Sequence, residues 1–177
     1  MSARRQRQMC IRDSPYPMST IRAGFADISG ESWSAQLGDI ARGIMTTDTV
    51  EKTSSATIAG SSAVVSGVAK GVGMIEPDMA TMIAMILTDA DISAEVLEST
   101  FSRVTDSTFN CVSIDGDTST SDTAIIMSSG VVTDVSYDAF ESALMQVCTD
   151  LTRQIAADGE GAETLIEVLV DEARDEA

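Results

Sequence analysis

The clearest periodic pattern in the sequence is an apolar stripe between residues 137 and 157. Six apolar side chains recur there at i, i+3, i+4 spacing: Phe140, Leu144, Val147, Cys148, Leu151 and Ile155. This spacing is that of one face of an α-helix. Asp138 and Glu141 are spaced as a capping box at its start, and the glycines of GEG at 159–161 end it. The stripe therefore predicts a long amphipathic helix.

Strand-like segments come before and after this helix. Residues rich in Thr, Ser and Val predict strands at about 50–58 and 62–69, and an almost uncharged run predicts a central strand at about 81–88. The other predicted elements are helices at 34–44 and, capped by Ser93, at 94–106, and strands at 109–115, 123–128 and 164–170. Because strands and helices occur in clumps, we predict an α+β fold, a layered sandwich with mixed sheets, rather than a parallel doubly wound sheet.

The charge of the chain limits its partners. It holds 28 acidic and 11 basic residues, a formal net charge of −17. A phosphate backbone needs a basic surface, so nucleic acid is not an expected partner. No apolar run approaches the roughly 20 residues that cross a bilayer. We therefore expect no membrane contact and predict a soluble, cytoplasmic protein.

Histidine and cysteine usage excludes several chemistries. The chain has no histidine, which rules out Ser-His-Asp and Cys-His catalysis and every zinc site that relies on histidine. Cys10, Cys111 and Cys148 lack C-x-x-C spacing, so neither a disulfide framework nor a thiolate metal site is expected, and a reducing compartment fits best. We predict that Cys111 and Cys148 are small hydrophobic residues of the core.

The two ends of the chain differ from its middle. Residues 1–18 are basic but lack the apolar segment of a secretory signal. We expect them to be a non-native or disordered start, and residues 19–177 to form a single domain. The closing residues, DEARDEA, resemble the opening turn of a further helix. The fold is therefore expected to be truncated at both ends.

Two motifs have some features of ligand sites but are more typical of turns. KGVG at 70–73 lacks the frame of a Walker loop and the third glycine of a dinucleotide fingerprint, so a turn with positive φ is favoured over a phosphate site. DGDTSTSD at 115–122 is followed by no EF-hand pattern, because Thr120 and Ile126 stand where that loop needs Gly and Glu. A tight hairpin turn is favoured over a calcium site.

Thr81 stands at the junction of the glycine-containing loop and the predicted strand. A threonine hydroxyl is a poor nucleophile at neutral pH unless a base lies beside it. Without histidine, the simplest base is the threonine's own α-amine, set free by cleavage of the bond from Ala80; such an amine titrates near about pH 8 and can accept the hydroxyl proton. An ordinary strand threonine is favoured on composition alone, and a self-activated nucleophile is the alternative.

Four segments, in register, resemble one enzyme family. AKGVGMIEPDMATMIAMILTDADI at 69–92 is similar to the self-cleavage segment of the bifunctional ornithine acetyltransferase/N-acetylglutamate synthase family. The other three segments are IMTTDTVEK at 44–52, FNCVSIDGDTSTSDT at 109–123 and GEGAETLIEVLV at 159–170. The resemblance covers about residues 35–172, nearly all of the chain beyond its basic start.

The resemblance implies an α/β/β/α-type sandwich that cuts itself between Ala80 and Thr81. The resulting α and β chains stay together, as a heterotetramer in the intact enzyme. Thr81 then takes the acetyl group of N-acetylornithine, as an acetyl-threonine, and passes it to glutamate in arginine biosynthesis. Acetyl-coenzyme A is a further donor for bifunctional members, and no metal or bound cofactor is implied.

The resemblance also assigns roles to individual residues. Thr81 is the nucleophile, with its α-amine as the base. Lys70, Glu160 and a threonine of TTDT contact the substrate, and Thr46 is favoured over Thr47 for the last of these. Their ordinary structural roles, a surface lysine, a solvated glutamate after a helix and a strand threonine, are the less favoured alternatives.

The chain also departs from the family pattern. The family's oxyanion-hole Thr-Gly pair and its C-terminal substrate contacts have no counterpart in the sequence, and the loss of such a donor lowers rates about a hundredfold or more. Two alternatives therefore stay open. One is a non-catalytic acidic module on the same scaffold, and the other is an amidohydrolase of the related aminopeptidase type that uses the same threonine.

Overall fold

The computed structural model of the chain describes residues 16–28 and 36–171. The chain divides into two compact units, residues 1–35 and residues 36–177. In the first unit, helix α1 covers Met18–Asp27 and has no buried residue. Residues 1–15 of the predicted non-native start, with Cys10, lie outside the described residues, and so does most of DEARDEA.

The described part of the second unit contains three α-helices and six strands. The helices are α2 (Leu37–Ile44), α3 (Ala94–Asp106) and α4 (Tyr137–Ala157), and a 3₁₀ turn covers Phe109–Cys111. The strands are β1 (Lys52–Thr57), β2 (Val64–Lys70), β3 (Ile75–Glu76), β4 (Met79–Ala80), β5 (Ile83–Ala90) and β6 (Thr123–Val132).

Four of the strands form one mixed sheet in the order β1-β2-β5-β6. The first three pair antiparallel, and β6 runs parallel to β5. Strands β3 and β4 form a separate two-stranded hairpin in which Ile75 lies opposite Ala80. The mixed sheet and its helices confirm the predicted α+β class. Strand β5 lies inside the sheet, as predicted for the central strand.

The apolar stripe of α4 builds the core against the sheet. All six predicted stripe residues are buried. They share one cluster with inward-facing strand residues such as Val65, Ala84 and Ile86. Burial of an aliphatic side chain stabilises a fold by about 1.5–3 kcal/mol, so this helix holds β1 and β2 firmly in place. The end of β2, where Lys70 lies, is thereby given a rigid support.

Gly67 of β2 allows α4 to pack closely on the sheet. A Cβ at this position would lie 2.7 Å from Cδ1 of Ile86 and 2.9 Å from Cδ1 of Leu151. We expect Gly67→Ala to lower the free energy of unfolding, measured in urea, by about 1–3 kcal/mol, because the new methyl must displace packed neighbours. Gly43→Ala in α2 is the control, since nothing lies within 4 Å of its new methyl. An equal loss in both variants would contradict this packing argument.

The helix predictions are confirmed in type and position. Helices α3 and α4 have the predicted bounds, and α2 lies inside the predicted 34–44. Ser93 caps α3 as expected, and its Oγ accepts a hydrogen bond from the Val96 amide at 3.4 Å. Strands β1 and β2 confirm the two Thr/Ser/Val-rich predictions, and β6 begins at the predicted residue and runs four residues further.

Two predicted strands are wrong. Residues 109–115 begin with a 3₁₀ turn, in which the chain folds back after α3 and buries Phe109. Residues 164–170 are irregular and pair with no strand of the described part of the chain, and the side chain of Leu169 is 91% exposed. An apolar run indicates a strand only where another strand can pair with its backbone.

The predicted capping box of α4 is also wrong. The N-cap is Ser136, which makes no side-chain cap bond, and Asp138 lies within the first turn. There its charge complements the positive end of the helix. Glu141 does not bond back to the helix start but forms an ion pair with Arg103 of α3 at 2.9 Å. The glutamate therefore connects two helices.

The two described cysteines differ in their surroundings. Cys148 lies in the core as predicted, and burial raises the pKa of its thiol to about 12. The prediction for Cys111 is wrong, because this residue is exposed in the 3₁₀ turn and its thiol donates a hydrogen bond to the Asp106 carbonyl at 3.2 Å. Its position in a turn rather than a strand accounts for the difference.

Candidate functional site

The glycine loop, residues 71–74, brings Lys70 and Thr81 together. Lys70 is the last residue of β2 and is buried. The β3–β4 hairpin, with Asp78 at φ 62°, returns the chain so that the Thr81 amide donates a hydrogen bond to the Met74 carbonyl at 2.8 Å. A Cβ on Gly71 would lie only 3.2 Å from the Thr81 carbonyl oxygen. Glycine at this position therefore permits the close approach of the two segments.

Thr81 lies in a bend and not in a strand. The prediction that it begins the strand is wrong, because its amide bonds to Met74 and pairing with β2 starts only at Ile83. The Thr81 Oγ1 is buried and has no hydrogen-bond partner. Thr105 and Thr152 share this property, but both lie within helices. Because buried polar atoms are nearly always bonded, an unbonded hydroxyl in a loop marks a candidate reactive group.

The peptide bond before Thr81 is held on both sides. Ala80 ends β4, is buried and pairs with Ile75. On the other side, the Thr81 amide is fixed by the Met74 carbonyl. An intramolecular reaction is fast when its atoms are held near each other. The structure thus restrains the Ala80–Thr81 bond, which the sequence resemblance predicts to be the cleavage site.

Glu160 reaches the glycine loop from beyond the end of α4. Its amide donates a hydrogen bond to the Val72 carbonyl at 2.5 Å, and its Oε2 lies 3.2 Å from the point that a Cβ on Gly73 would occupy. Asp115 Oδ2 lies at the same distance from that point and accepts a hydrogen bond from the Met74 amide at 2.8 Å. Two carboxylates therefore face Gly73, and Glu160 is exposed to a ligand.

Thr46 is joined to the glycine loop through Asp48. The Thr46 amide donates to Asp48 Oδ2 at 3.2 Å, and the Gly71 amide donates to Asp48 Oδ1 at 2.8 Å. Thr46 and Thr47 are both exposed. Of the four predicted site residues, Lys70 directly precedes the glycine loop, Thr81 and Glu160 bond to it, and Thr46 is linked to it through Asp48.

Sequence reasoning missed a buried ionic cluster behind this loop. Lys52 Nζ lies 2.8 Å from Asp48 Oδ1 and 2.6 Å from Asp158 Oδ2. The side chain of Lys52 is 0% exposed, that of Asp48 is 1% exposed and that of Asp158 is 5% exposed. Asp158 also accepts hydrogen bonds from the amide of Thr49, at 3.0 Å, and from its hydroxyl. The i, i+4 spacing of Asp48 and Lys52 is visible in TTDTVEK, but Asp158 lies 106 residues beyond Lys52, and no local pattern shows that they meet.

Both carboxylates of this Asp48–Lys52–Asp158 cluster are held in the charged form. Burial raises the pKa of Asp48, but hydrogen bonds from Lys52 and from two backbone amides outweigh it and bring this pKa below its ordinary value. Burial likewise raises the pKa of Asp158, and hydrogen bonds from Lys52 and Thr49 bring it below its ordinary value. Both carboxylates are therefore ionised at neutral pH.

Acid is expected to remove the contribution of Asp158 to stability. Its pKa in the folded chain lies below the ordinary value of 3.8. The carboxylate therefore stabilises the fold fully above that pH and loses this effect as the pH falls through the folded-state pKa. We expect Asp158→Asn to lower the free energy of unfolding at neutral pH, and the difference from the parent to shrink below about pH 4. Urea unfolding of both proteins across this pH range measures the difference in unfolding free energy. A difference that does not change with pH would contradict this prediction.

Other parts of the described chain lie apart from the glycine loop. A shallow, mostly apolar groove of about 460 Å³ lies between α3 and β6, and Leu97, Phe101 and Ile126 are among the residues that line it. None of the predicted site residues lines this groove. Within residues 16–28 and 36–171, no group of three or more acidic or cysteine side chains is arranged to hold a metal ion. No helix in these ranges combines the length and apolarity needed to cross a bilayer.

Comparison with known proteins matches this chain to one family. A family model described as "ArgJ family" matches residues 11–177. The chain is 50% identical over 158 residues to "Arginine biosynthesis bifunctional protein ArgJ 2" of a Nostoc species, with 89% of this chain and 40% of that protein covered. It is 52% identical over 161 residues to "Arginine biosynthesis bifunctional protein ArgJ" of Rhodococcoides fascians, with 91% and 39% covered.

A third relative has a name that states an activity. The chain is 46% identical over 162 residues to "Glutamate N-acetyltransferase Oat2" of Streptomyces clavuligerus, with 92% of this chain and 41% of that protein covered. The chain thus spans about two fifths of the length of these curated relatives.

Proposed function

The chain belongs to the ArgJ family, and we therefore propose that it carries the nucleophile of a glutamate N-acetyltransferase. The whole enzyme transfers the acetyl group of N2-acetylornithine to glutamate, through an acetyl-threonine at Thr81, in arginine biosynthesis. The names of the relatives support the reaction class, since they are arginine biosynthesis proteins and, in one case, a glutamate N-acetyltransferase.

The observation that carries this proposal is the state of the Thr81 hydroxyl. Its Oγ1 is buried without a hydrogen-bond partner, in the bend beside Lys70 and the glycine loop. A hydroxyl that makes no hydrogen bond is free to attack a carbonyl carbon once a base takes its proton. The chain has no histidine to act as that base. The nitrogen of Thr81 itself is the base that the geometry supports.

Self-cleavage creates this base. Thr81 Oγ1 attacks the carbonyl carbon of Ala80, the bond from that carbon to the Thr81 nitrogen breaks, and the hydroxyl proton passes to the nitrogen. Water then hydrolyses the resulting ester, which leaves a carboxylate on Ala80 and a free hydroxyl and α-amine on Thr81. The Met74 carbonyl accepts a hydrogen bond from this nitrogen in the intact chain. It is placed to hold the amine after cleavage, with the lone pair left for the hydroxyl proton.

Acetyl transfer then proceeds in two steps. The α-amine takes the Thr81 hydroxyl proton while Oγ1 attacks the acetyl carbon of N2-acetylornithine. The amide bond of the substrate breaks, the proton passes to the departing ornithine nitrogen, and an acetyl ester remains on Thr81. The amine of glutamate attacks this ester, and Thr81 regains its hydroxyl. General base help of this kind is typically worth about 10² to 10⁴ in rate.

The remaining site residues bind the substrate in this proposal. Glu160 is exposed beside Gly73 and receives the side-chain ammonium of ornithine. Lys70, buried at the end of β2, supplies a positive charge for the substrate carboxylate. Thr46, exposed next to Asp48, offers a hydroxyl at the rim of the site.

The whole enzyme has further proposed properties. We propose that the sheet described above is one half of an α/β/β/α-type sandwich, and that the α and β chains stay associated in a heterotetramer. Neither a metal nor a bound cofactor takes part, and acetyl-coenzyme A serves as a second acetyl donor. We place the enzyme in the cytoplasm, because its cysteine usage fits a reducing compartment.

An isotope experiment tests this proposal. The purified chain is incubated with N2-acetylornithine labelled in its acetyl group, and glutamate is then added. We expect the label in N-acetylglutamate, with free ornithine as the other product. Label released as acetate would show amidohydrolysis instead, and label that stays in N2-acetylornithine would show a non-catalytic scaffold. Replacing the donor with labelled acetyl-coenzyme A tests the second donor in the same way.

A further inference from the structure

The Asp48–Lys52–Asp158 cluster joins segments that are far apart in the sequence. Lys52 Nζ bridges Asp48, in the segment before β1, and Asp158, at the end of α4. The two carboxylates also accept hydrogen bonds from backbone amides. Asp48 accepts from the amides of Thr46 and Gly71, and Asp158 accepts from an amide of the segment before β1. The cluster therefore connects three pieces of chain: the segment before β1, the glycine loop and the end of α4.

Each of these connections ends beside a proposed substrate contact. Thr46 is itself one of the donors. Lys70 directly precedes Gly71, whose amide donates to Asp48 at 2.8 Å. Glu160 follows Asp158 by two residues. Displacement of the cluster would therefore displace all three contacts.

The glycine loop extends this effect to Thr81. Asp48 holds the Gly71 amide at one end of the loop. The Thr81 carbonyl oxygen packs against Gly71, and the Thr81 amide donates to the Met74 carbonyl at 2.8 Å at the other end. The position of the Thr81 nitrogen thus depends on a loop that Asp48 holds at Gly71 and that Asp115 holds at Met74, whose amide donates to Asp115 Oδ2 at 2.8 Å.

A buried ionic cluster is an unusual choice if stability alone matters. Desolvation of buried charges costs about as much as their attraction returns, and packed apolar residues are often as stabilising. Acids outnumber bases by 28 to 11, yet Lys52 and Lys70, the two lysines of the chain, are both buried. Charged side chains provide directional bonds to backbone amides, which apolar side chains cannot provide.

We propose that Asp48, Lys52 and Asp158 are positioning residues that fix the glycine loop and, through it, the Thr81 nitrogen. They touch neither the substrate nor the reacting atoms. The inference rests on the proposed function, because it gives the cluster this purpose only if Thr81 is the nucleophile. A purely structural cluster is the competing explanation, and it predicts that hydrogen exchange rises by the same factor in the sheet and in the glycine loop.

Amide hydrogen exchange tests the positioning without any catalysis. Asp48→Ala and Asp89→Ala are compared in a Thr81→Ala background, which lacks the nucleophile; alanine is used because asparagine would keep an oxygen that accepts the same hydrogen bond. Asp89 is the matched control, because its Oδ1 accepts a hydrogen bond from the Val64 amide at 2.7 Å, at the opposite ends of β2 and β5. We expect exchange at Gly71 and at residue 81 to rise about tenfold or more in Asp48→Ala, and to change less than about twofold in Asp89→Ala. Equal exchange in the two variants, or a rise that is uniform across residues 84–88, overturns the proposal.

The cleavage rate gives a second, independent measurement. With Thr81 present, Asp48→Ala is expected to slow the appearance of fragments 1–80 and 81–177 by about tenfold or more, and Asp89→Ala by less than about twofold. Equal rates in the two variants argue against positioning. If the parent chain does not cleave, the proposed function fails, whereas the exchange comparison still decides the role of the cluster. Asp158→Asn, which leaves the Asp48–Gly71 bond in place but loosens Lys52, carries the same expectations if Asp48→Ala does not fold.

Discussion

Replacement of Lys52 by methionine is expected to lower the free energy of unfolding by about 3–5 kcal/mol. Methionine fills much of the space of the lysine stem but removes the charge that neutralises two carboxylates. Those of Asp48 and Asp158 lie 2.8 and 2.6 Å from the lysine nitrogen and are almost wholly buried. Without the lysine they face each other, uncompensated, in the protein interior. Urea unfolding followed by circular dichroism gives the change directly.

The control for this prediction is an ion pair on the surface. Arg153 lies 2.8 Å from Glu167, but their side chains are 52% and 66% exposed. Water already solvates exposed pairs, so they add little to stability. Arg153→Met should therefore change the unfolding free energy by only a small fraction of the Lys52→Met effect. Similar losses in both variants would mean that burial does not increase the contribution of the Lys52 cluster to the free energy of unfolding.

Thr81→Ala is expected to abolish cleavage of the Ala80–Thr81 bond completely. The variant keeps the fold, because Thr81 Oγ1 makes no hydrogen bond whose loss would cost stability. It removes the atom that we propose attacks the Ala80 carbonyl carbon. Mass spectrometry of the intact protein after incubation should find the full-length chain of 18.6 kDa and no fragments.

Two further variants make this result specific. Thr81→Ser keeps a hydroxyl at the same place and should still cleave. Thr152→Ala removes another buried hydroxyl that has no hydrogen-bond partner, but in α4, and should cleave at the rate of the parent. If Thr81→Ala still gives fragments, or if Thr152→Ala gives none, cleavage does not depend specifically on the Thr81 hydroxyl.

Local signals in the sequence were enough to place the helices. Ser93 as an N-cap sets the start of α3, and the 3.6-residue period of the α4 stripe sets both its length and its buried face. These signals are contained within one turn or one face of a helix. The strand predicted at 164–170 is absent, because a strand forms only where a neighbouring strand can pair with it, and the sequence of the segment does not show whether such a neighbour exists.

The candidate site was predictable only in part, for the same reason. The order of the motifs along the sequence identifies Lys70, Thr81 and Glu160 as candidate site residues, and the structure places all three at the glycine loop. The bend at Thr81 could not be predicted, since it depends on the bond from its amide to Met74. The partnership of Lys52 and Asp158 could not be predicted either, because their contact exists only once α4 has packed on the sheet.

Peptide mapping gives the most direct test of Thr81 as a self-activated nucleophile. The chain has no lysine or arginine between Lys70 and Arg103, so trypsin yields the single peptide 71–103 from an uncut chain. After incubation with N2-acetylornithine, we expect peptides 71–80 and 81–103 in its place, with an acetyl ester on the Thr81 hydroxyl. An intact 71–103 peptide, or an acetyl group on any other residue, would contradict the role of Thr81.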